Sequence, residues 1–388
     1  MKITDADFSN FKDKIERDRM TLLSDVVNIS EIPAPTGEED RRAEMLVRKF
    51  REIGVDNVYR DSAGNVVAHA KQRDVPALCV TAHLDTVFDS SVNHTVTVDD
   101  QYLTGPGVGD DSLGLATLLS MRRILGDKEP GNLIFVATAA TEGQGNLRGS
   151  RYFVDNCREE IGFVFCLEGH GLGRIDHWSL GTVRLQITAR SEGGHVWREE
   201  TGENPIGVIS RLIDRFQEIE EEYKNGNKFS IINAGIIEGG TAFNTVPYSC
   251  DLSLEIRSDD EDLLEELREN VLTAVNNIEE KSGSELEVRE VSRRPVTHLD
   301  ADHWLITEVE DIQSRLSVES VKGPASSDGC IFLDAGLPTV TLGLARGEHR
   351  HRISEKIAID SLMDGQLQVM LASIGCFRRL NEENNSGD

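Results

Sequence analysis

Four apolar runs, residues 77–81, 133–140, 161–167 and 338–344, each end at or shortly before a side chain able to hold a metal ion: His83, Glu142, Glu168 and His351. Apolar runs of that length, alternating with helical spacing, predict a mostly parallel sheet covered on both faces. In an open α/β sheet the carboxyl ends of the strands line one crevice, so residues distant in sequence meet there. A fifth candidate, Asp110, follows the turn Gly105-Pro106-Gly107-Val108-Gly109 and precedes the helical pattern of residues 112–125. Two imidazoles and three carboxylates exceed the protein ligands of one open zinc site. The set favours two ions that share a carboxylate, with Asp110 as the bridge.

The chain has 388 residues, long for a single core. Helical spacing over residues 8–54 breaks at Ile32-Pro33-Ala34-Pro35-Thr36-Gly37, where Thr36 is placed to cap a helix begun by Glu38 and Glu39. Strand and helix patterns alternate to about residue 180. The texture then changes to the order β, α, β, β, α, β of a ferredoxin-like module, and the first rhythm resumes after Arg293. The expected architecture is an α/β domain with a mostly parallel sheet, built from residues 1–180 and 295–388. A ferredoxin-like α+β domain, residues 181–294, is inserted in it. Residues 381–388 read as a frayed tail.

The formal charge is −27, from 68 acidic and 41 basic residues. A field of that sign repels phosphate, which argues against nucleic acid and anionic membranes as partners. The six cysteines show no Cys-x-x-Cys spacing and mostly lie in apolar runs, as buried free thiols do. Residues 1–20 are charged throughout, and no stretch reaches the roughly 18 apolar residues of a membrane span. The expected compartment is a reducing cytoplasm.

In His83-Leu84-Asp85, alternate residues of an extended segment point together, so Asp85 can orient the imidazole of His83. Taken singly, each candidate also has a plainer role: His83 as a structural histidine, Asp110-Asp111 as a helix cap, Glu142 and Glu168 as solvated strand ends. Their joint occurrence is more specific. The segments Ala82-His83-Leu84-Asp85-Thr86-Val87, Gly105 through Asp111, Glu142-Gly143-Gln144-Gly145-Asn146-Leu147-Arg148-Gly149 and His351-Arg352-Ile353-Ser354-Glu355 resemble, in order, the signatures of the M20 family of dinuclear zinc metallopeptidases and deacylases, which includes peptidase T, carboxypeptidases and aminoacylases.

That resemblance implies one ion on His83, Asp110 and Glu168, a second on Asp110, Glu142 and His351, and Asp85 supporting His83. The ions would be zinc, with cobalt or manganese as alternatives. His349 competes with His351 for the ligand role, and the spacing to Glu355 favours His351. The resemblance also implies a substrate that is a small peptide or an N-acyl amino acid, cut at an amide bond. The inserted domain would serve as a lid and dimerisation unit, with His195 stabilising the oxyanion and Asn244 and Arg257 gripping a substrate carboxylate. Arg257 has a plainer alternative as a strand-end ion pair.

One position departs from the family pattern. Members carry two adjacent glutamates before the glycine, the first as general base, and here Thr141 precedes Glu142. A hydroxyl cannot take up and return a proton near neutral pH as a carboxylate does, and losing such a group costs about 10²-fold to 10⁴-fold in rate. Either another residue supplies the base, with Glu348, His170 and His195 as candidates, or the substrate is atypical, or the site binds metal and ligand with weak turnover or none.

Overall fold

The computed structural model describes residues 3–71, 75–126, 131–198, 202–224, 226–324 and 327–386. The chain divides into two compact units, Met1–Trp178 with His298–Asp388, and Ser179–Thr297.

At the centre of the first unit lie four adjacent parallel strands, in the order Asn132–Thr138, Ala77–His83, Ile161–His170 and Thr339–Ala345. These are the four apolar runs of the sequence. Strands Val58–Arg60 and Val66–Lys71 extend the sheet antiparallel on one side, and Arg174–Ser179 pairs antiparallel with Thr339–Ala345 on the other. Every residue of Ala77–His83, Asn132–Thr138 and Thr339–Ala345 is buried, because both faces of the sheet are covered. Leu78, Val80, Phe135 and Ala137 pack in the cluster that contains helices Asp5–Ser30, Gly114–Leu125 and Leu362–Ser386. Their neighbours Cys79, Ile134 and Val136 pack on the opposite face with Phe153, Val154, Ile331 and Phe332.

The second unit has strands Gly181–Arg190, Ser230–Gly239, Ser249–Ser258 and Glu285–Arg294 with helices Pro205–Tyr223 and Glu261–Ser282, the βαββαβ order of a ferredoxin-like module. Its sheet is antiparallel, with Ser230–Gly239 at one edge and Glu285–Arg294 at the other. Burial along Ser249–Ser258 alternates strictly. Cys250, Leu252, Leu254 and Ile256 face the two helices. Asn204 and Asp260 cap these helices by accepting from the Ile206 and Leu263 amides.

Two local expectations need correction. The second helix starts at Asp40, after Glu39, and has no side-chain cap. Thr36 does not cap it, because its hydroxyl donates instead to Asp85 Oδ2 at 2.7 Å. Residues 381–386 of the stretch read as a tail continue the helix Leu362–Ser386, whose apolar face is held against the sheet by Leu371, Phe377 and Leu380, and residues 387 and 388 lie outside the described residues. The six cysteines are free, and all but Cys157 are buried. Among the described residues no helix is long and apolar enough to cross a membrane.

Candidate metal centre

Parallel pairing brings the strand ends together at one edge. His83 lies opposite Thr138, four residues before Glu142, and Glu168 lies opposite Gly343, at the end of the strand that leads to His351. Asp110 comes from the glycine-rich turn. Gly107 takes a left-handed φ of 69°, and a Cβ on Gly109 would collide with the His170 imidazole, so both positions require glycine. The peptide between Asp110 and Asp111 is cis, and the regular helix begins at Gly114.

Asp110 is the centre of the cluster. Its Oδ1 lies 2.8 Å from His83 Nε2, and its Oδ2 lies 2.8 Å from His351 Nε2. Glu142 Oε1 is 3.9 Å from His351 Nε2, and one ligand atom from each of His83, Asp110 and Glu142 falls within 4.8 Å of the others. His349 points elsewhere, with Nδ1 3.2 Å from the Ser354 carbonyl. Glu168 is buried but meets the others through a residue that sequence spacing does not single out. Arg350 donates to Asp110 Oδ2 from Nε and to Glu168 Oε2 from a terminal nitrogen, each at 2.7 Å.

Around these groups a layer of buried polar contacts fixes each backbone segment. Asp85 holds His83 through two groups, its carboxylate Oδ1 lying 3.6 Å from His83 Nδ1. Its main-chain carbonyl lies 2.9 Å from His83 Nδ1, and its carboxylate also accepts from the amides of Thr141 at 3.0 Å and Glu142 at 2.9 Å. Asp85 therefore ties together two of the strand ends. Asp111 does the same on the other side, accepting from the amides of His83 and Gly169, each at 3.1 Å. Glu355 accepts from the amides of Gly109 and Asp110 at 2.8 Å and lies 2.9 Å from His170 Nε2, which locks the turn of Asp110 to the loop of His351. Arg42, fully buried, donates to the carbonyls of Leu84 and Ile32. Burial lowers its pKa to about 10, against the charges of Asp85, Asp111 and Glu39.

The charges are those of a cation site. Burial opposes protonation of His83, but hydrogen bonds to Asp110 and Asp85 and the charges of Asp110 and Asp111 hold its pKa well above the ordinary value. Burial works against ionisation of Asp110, yet its contacts with His351, His83 and Arg350 keep its carboxyl well below the usual range. Glu142 is pushed up by burial and by the charges of Asp110 and Glu168. Asp111 is pushed well up, first by burial and then by Glu168 and Asp110. Excess carboxylates in one buried space call for added positive charge.

The His83 geometry tests whether a metal fits. Its Nδ1 faces a carbonyl oxygen, an acceptor, so Nδ1 carries the hydrogen and Nε2 is turned toward Asp110. With a neutral ring, a lone pair would then oppose a carboxylate oxygen at 2.8 Å, so a proton or a metal ion has to lie between them. His83 Nε2 and Asp110 Oδ1 would hold such an ion in place of the shared proton, and it would supply Lewis acidity there. The nitrogen and oxygen donors suit zinc, cobalt or manganese chemically.

Thr141 is buried, and its hydroxyl donates to Asp328 at 3.0 Å. Thr138 donates to the same carboxylate at 2.6 Å, and burial raises the Asp328 pKa. Asp328 is thus a carboxylate beside the Thr141 position, within Ser327-Asp328-Gly329, a segment whose sequence resembles a family segment near the cleft. Two of the base candidates named from the sequence, His170 and Glu348, have partners of their own. His170 bonds Glu355, and exposed Glu348 pairs with Lys356 at 3.2 Å.

His195, in the second unit, pairs with Thr245 in a two-stranded ribbon. The Asn244 carbonyl accepts from the Val196 amide there, so His195 and Asn244 share one ribbon. Arg257 lies in the four-stranded sheet of that unit and donates to Glu255 at 2.6 Å, so its plainer role as part of an ion pair is present.

Residues 79–372 match the model of peptidase family M20/M25/M40. The chain belongs to that family. Peptidase T of Bacillus mycoides is 24% identical over 383 residues, covering 84% of this chain and 88% of the relative. An acetylornithine deacetylase of Aliivibrio salmonicida is 24% identical over 307 residues, covering 76% and 79%. The crystal structure of a tripeptidase from Staphylococcus aureus superposes with a TM-score of 0.75 at 23% identity, over 93% of this chain and 99% of that one, and shows the M20 fold. This M20 chain is a hydrolase of the peptidase and deacylase class, and its His83, Asp110 and Glu142 form a cluster able to hold a metal ion.

Proposed function

We propose that this protein is a metal-dependent amide hydrolase acting on small peptides or N-acyl amino acids, in which Thr141 stands where a general-base glutamate would stand. The observation that carries the reading is the pair of 2.8 Å contacts from His83 and His351 to the two oxygens of Asp110, with Glu142 beside them. His83, Asp110, Glu142 and His351 would hold zinc, or cobalt or manganese, and a bound ion would polarise the amide carbonyl and acidify water. Asp85, through its carbonyl, keeps His83 Nδ1 protonated, and through its carboxylate it keeps the Thr141–Glu142 backbone in place. The names of the relatives, a peptidase and a deacylase, support both substrate classes. His195 is assigned to oxyanion stabilisation and Asn244 and Arg257 to a substrate carboxylate on family resemblance. The free cysteines suit a cytoplasmic location.

The test is hydrolysis of a panel of dipeptides, tripeptides, and acetylated and succinylated amino acids, before and after removal of metal by a chelator. Release of product that is lost on chelation and restored by zinc, cobalt or manganese is the expected result. Turnover that is unaffected by chelation excludes the reading. A second reading, a catalytically weak or inactive metal-dependent binding protein, is favoured by the engagement of the Thr141 hydroxyl with Asp328. Metal-dependent ligand binding without product would select it.

We also propose a homodimer formed through the second unit. The edge strand Ser230–Gly239 is exposed from Asn233 onward, with Ile236 and Ile237 at 58% and 51% exposure. An open strand edge with exposed isoleucines is a surface that proteins normally pair or cover, and a two-fold axis lets one copy cover another. Light scattering on the purified protein is expected to give twice the 43.0 kDa chain mass, and the double substitution Ile236→Lys, Ile237→Lys is expected to give the monomer. A monomer in the unsubstituted protein excludes the dimer.

A further inference from the structure

Arg350 lies between the two histidines of His349-Arg350-His351, and its side chain turns into the cluster. The two carboxylates it joins, Asp110 and Glu168, are those that the family resemblance assigns to one ion together with His83. Both oxygens that it contacts lie at 2.7 Å, and Asp110 Oδ2 is also the partner of His351. Among the described residues, the group of ligand atoms within 4.8 Å of one another contains His83, Asp110 and Glu142 and leaves out both His351 and Glu168; His351 keeps a direct contact to Asp110, whereas Glu168 reaches Asp110 through Arg350.

We propose that the Arg350 guanidinium takes the place of one of the two metal ions, so that the centre holds a single divalent ion on the His83–Asp110–Glu142 side and a fixed organic cation on the Glu168 side. The inference rests on the metal-dependent reading above and narrows it. A guanidinium is planar, permanently charged and less strongly hydrated than an ammonium, so it spans two carboxylates that a divalent ion would otherwise bridge. An ion and a guanidinium cannot both occupy Asp110 Oδ2 and Glu168 Oε2 at contact distance. A second ion therefore enters only if the arginine leaves, which exposes the ion's new ligands at the expense of a buried pair of charge-assisted hydrogen bonds. In the single-ion arrangement Glu168 acts as a positioning residue: it holds Arg350, and Arg350 holds Asp110.

The measurement is the number of ions retained per chain after exposure to zinc and desalting, read by atomic emission, with cobalt absorption spectra as a second readout. The purified protein is expected to retain one ion and Arg350→Met two. Arg350→Lys, whose single ammonium cannot span both carboxylates, is expected to retain more than one. Glu168→Gln is expected still to retain one, whereas loss of a ligand would reduce the count in a two-ion site. Circular dichroism and melting confirm that each variant is folded. Two ions in the unsubstituted protein overturn the proposal, as does one ion in both that protein and Arg350→Met. Absence of metal from every form would instead overturn the metal-dependent function itself, so the two failures are distinct.

Discussion

Replacing Thr141 with glutamate is expected to raise kcat on a cleavable dipeptide or N-acyl amino acid by about 10²-fold to 10⁴-fold, the contribution of a positioned general base. The backbone there is already fixed, because the Thr141 amide donates to Asp85 Oδ1 at 3.0 Å, so a longer side chain extends from an unchanged anchor. The difficulty is Asp328, which loses the Thr141 hydroxyl and gains a neighbouring carboxylate. It keeps the hydroxyl of Thr138, and burial already raises its pKa, so it can hold a proton and donate it to the introduced carboxylate. Thr141→Gln is the control, with the same length and no basic oxygen. A gain with glutamate alone assigns the slow step to proton transfer. Equal rates for Thr141→Glu, Thr141→Gln and the unsubstituted enzyme would show that the missing base does not limit turnover.

The fold is legible in the sequence where the physics is one-dimensional. A strand buried on both faces has to be apolar along its whole length, so Ala77–His83 and Thr339–Ala345 stand out as runs, and a sheet of such strands gathers the residues that follow them. The strict burial alternation of Ser249–Ser258 is likewise written in the chain, as apolar Cys250, Leu252, Leu254 and Ile256 set between polar neighbours. What is not legible depends on where a side chain turns. Arg350 reads as an exposed residue in a polar loop, and only the left-handed backbone at His349 and His351, each with φ of 62°, shows how the loop delivers it to Asp110. Arg42 sits in a strongly charged helical segment, yet it is wholly buried on two carbonyls. Spacing alone assigns the Asp85 carboxylate to His83. The carbonyl is the nearer partner at 2.9 Å and the carboxylate stands at 3.6 Å, because Thr36 and the Thr141 and Glu142 amides also claim the carboxylate. Competition among partners is a three-dimensional fact, and spacing does not encode it.

Asp110→Asn is expected to lower metal affinity by well over about 100-fold and to bring activity to background. Removing a group that merely supports a ligand already costs about 10-fold to 100-fold, and Asp110 touches both imidazoles directly. The same variant carries a pH signature. In the metal-free protein the His83 pKa is raised well above its ordinary value, so at pH 7 its ring is protonated against Asp110. Metal uptake must expel that proton, and affinity therefore rises with pH until the raised His83 pKa is passed and then levels off. With asparagine at this position the charge of Asp110 is lost while Asp85 and Asp111 remain, so the His83 pKa falls and fewer protons are released on binding near pH 7. Calorimetric titration in buffers of different ionisation enthalpy measures this directly. The unsubstituted protein is expected to release protons on binding zinc at pH 7, and at the high concentrations needed to load Asp110→Asn the release should be smaller. Equal affinity in the two proteins would mean that the ion lies elsewhere than on Asp110.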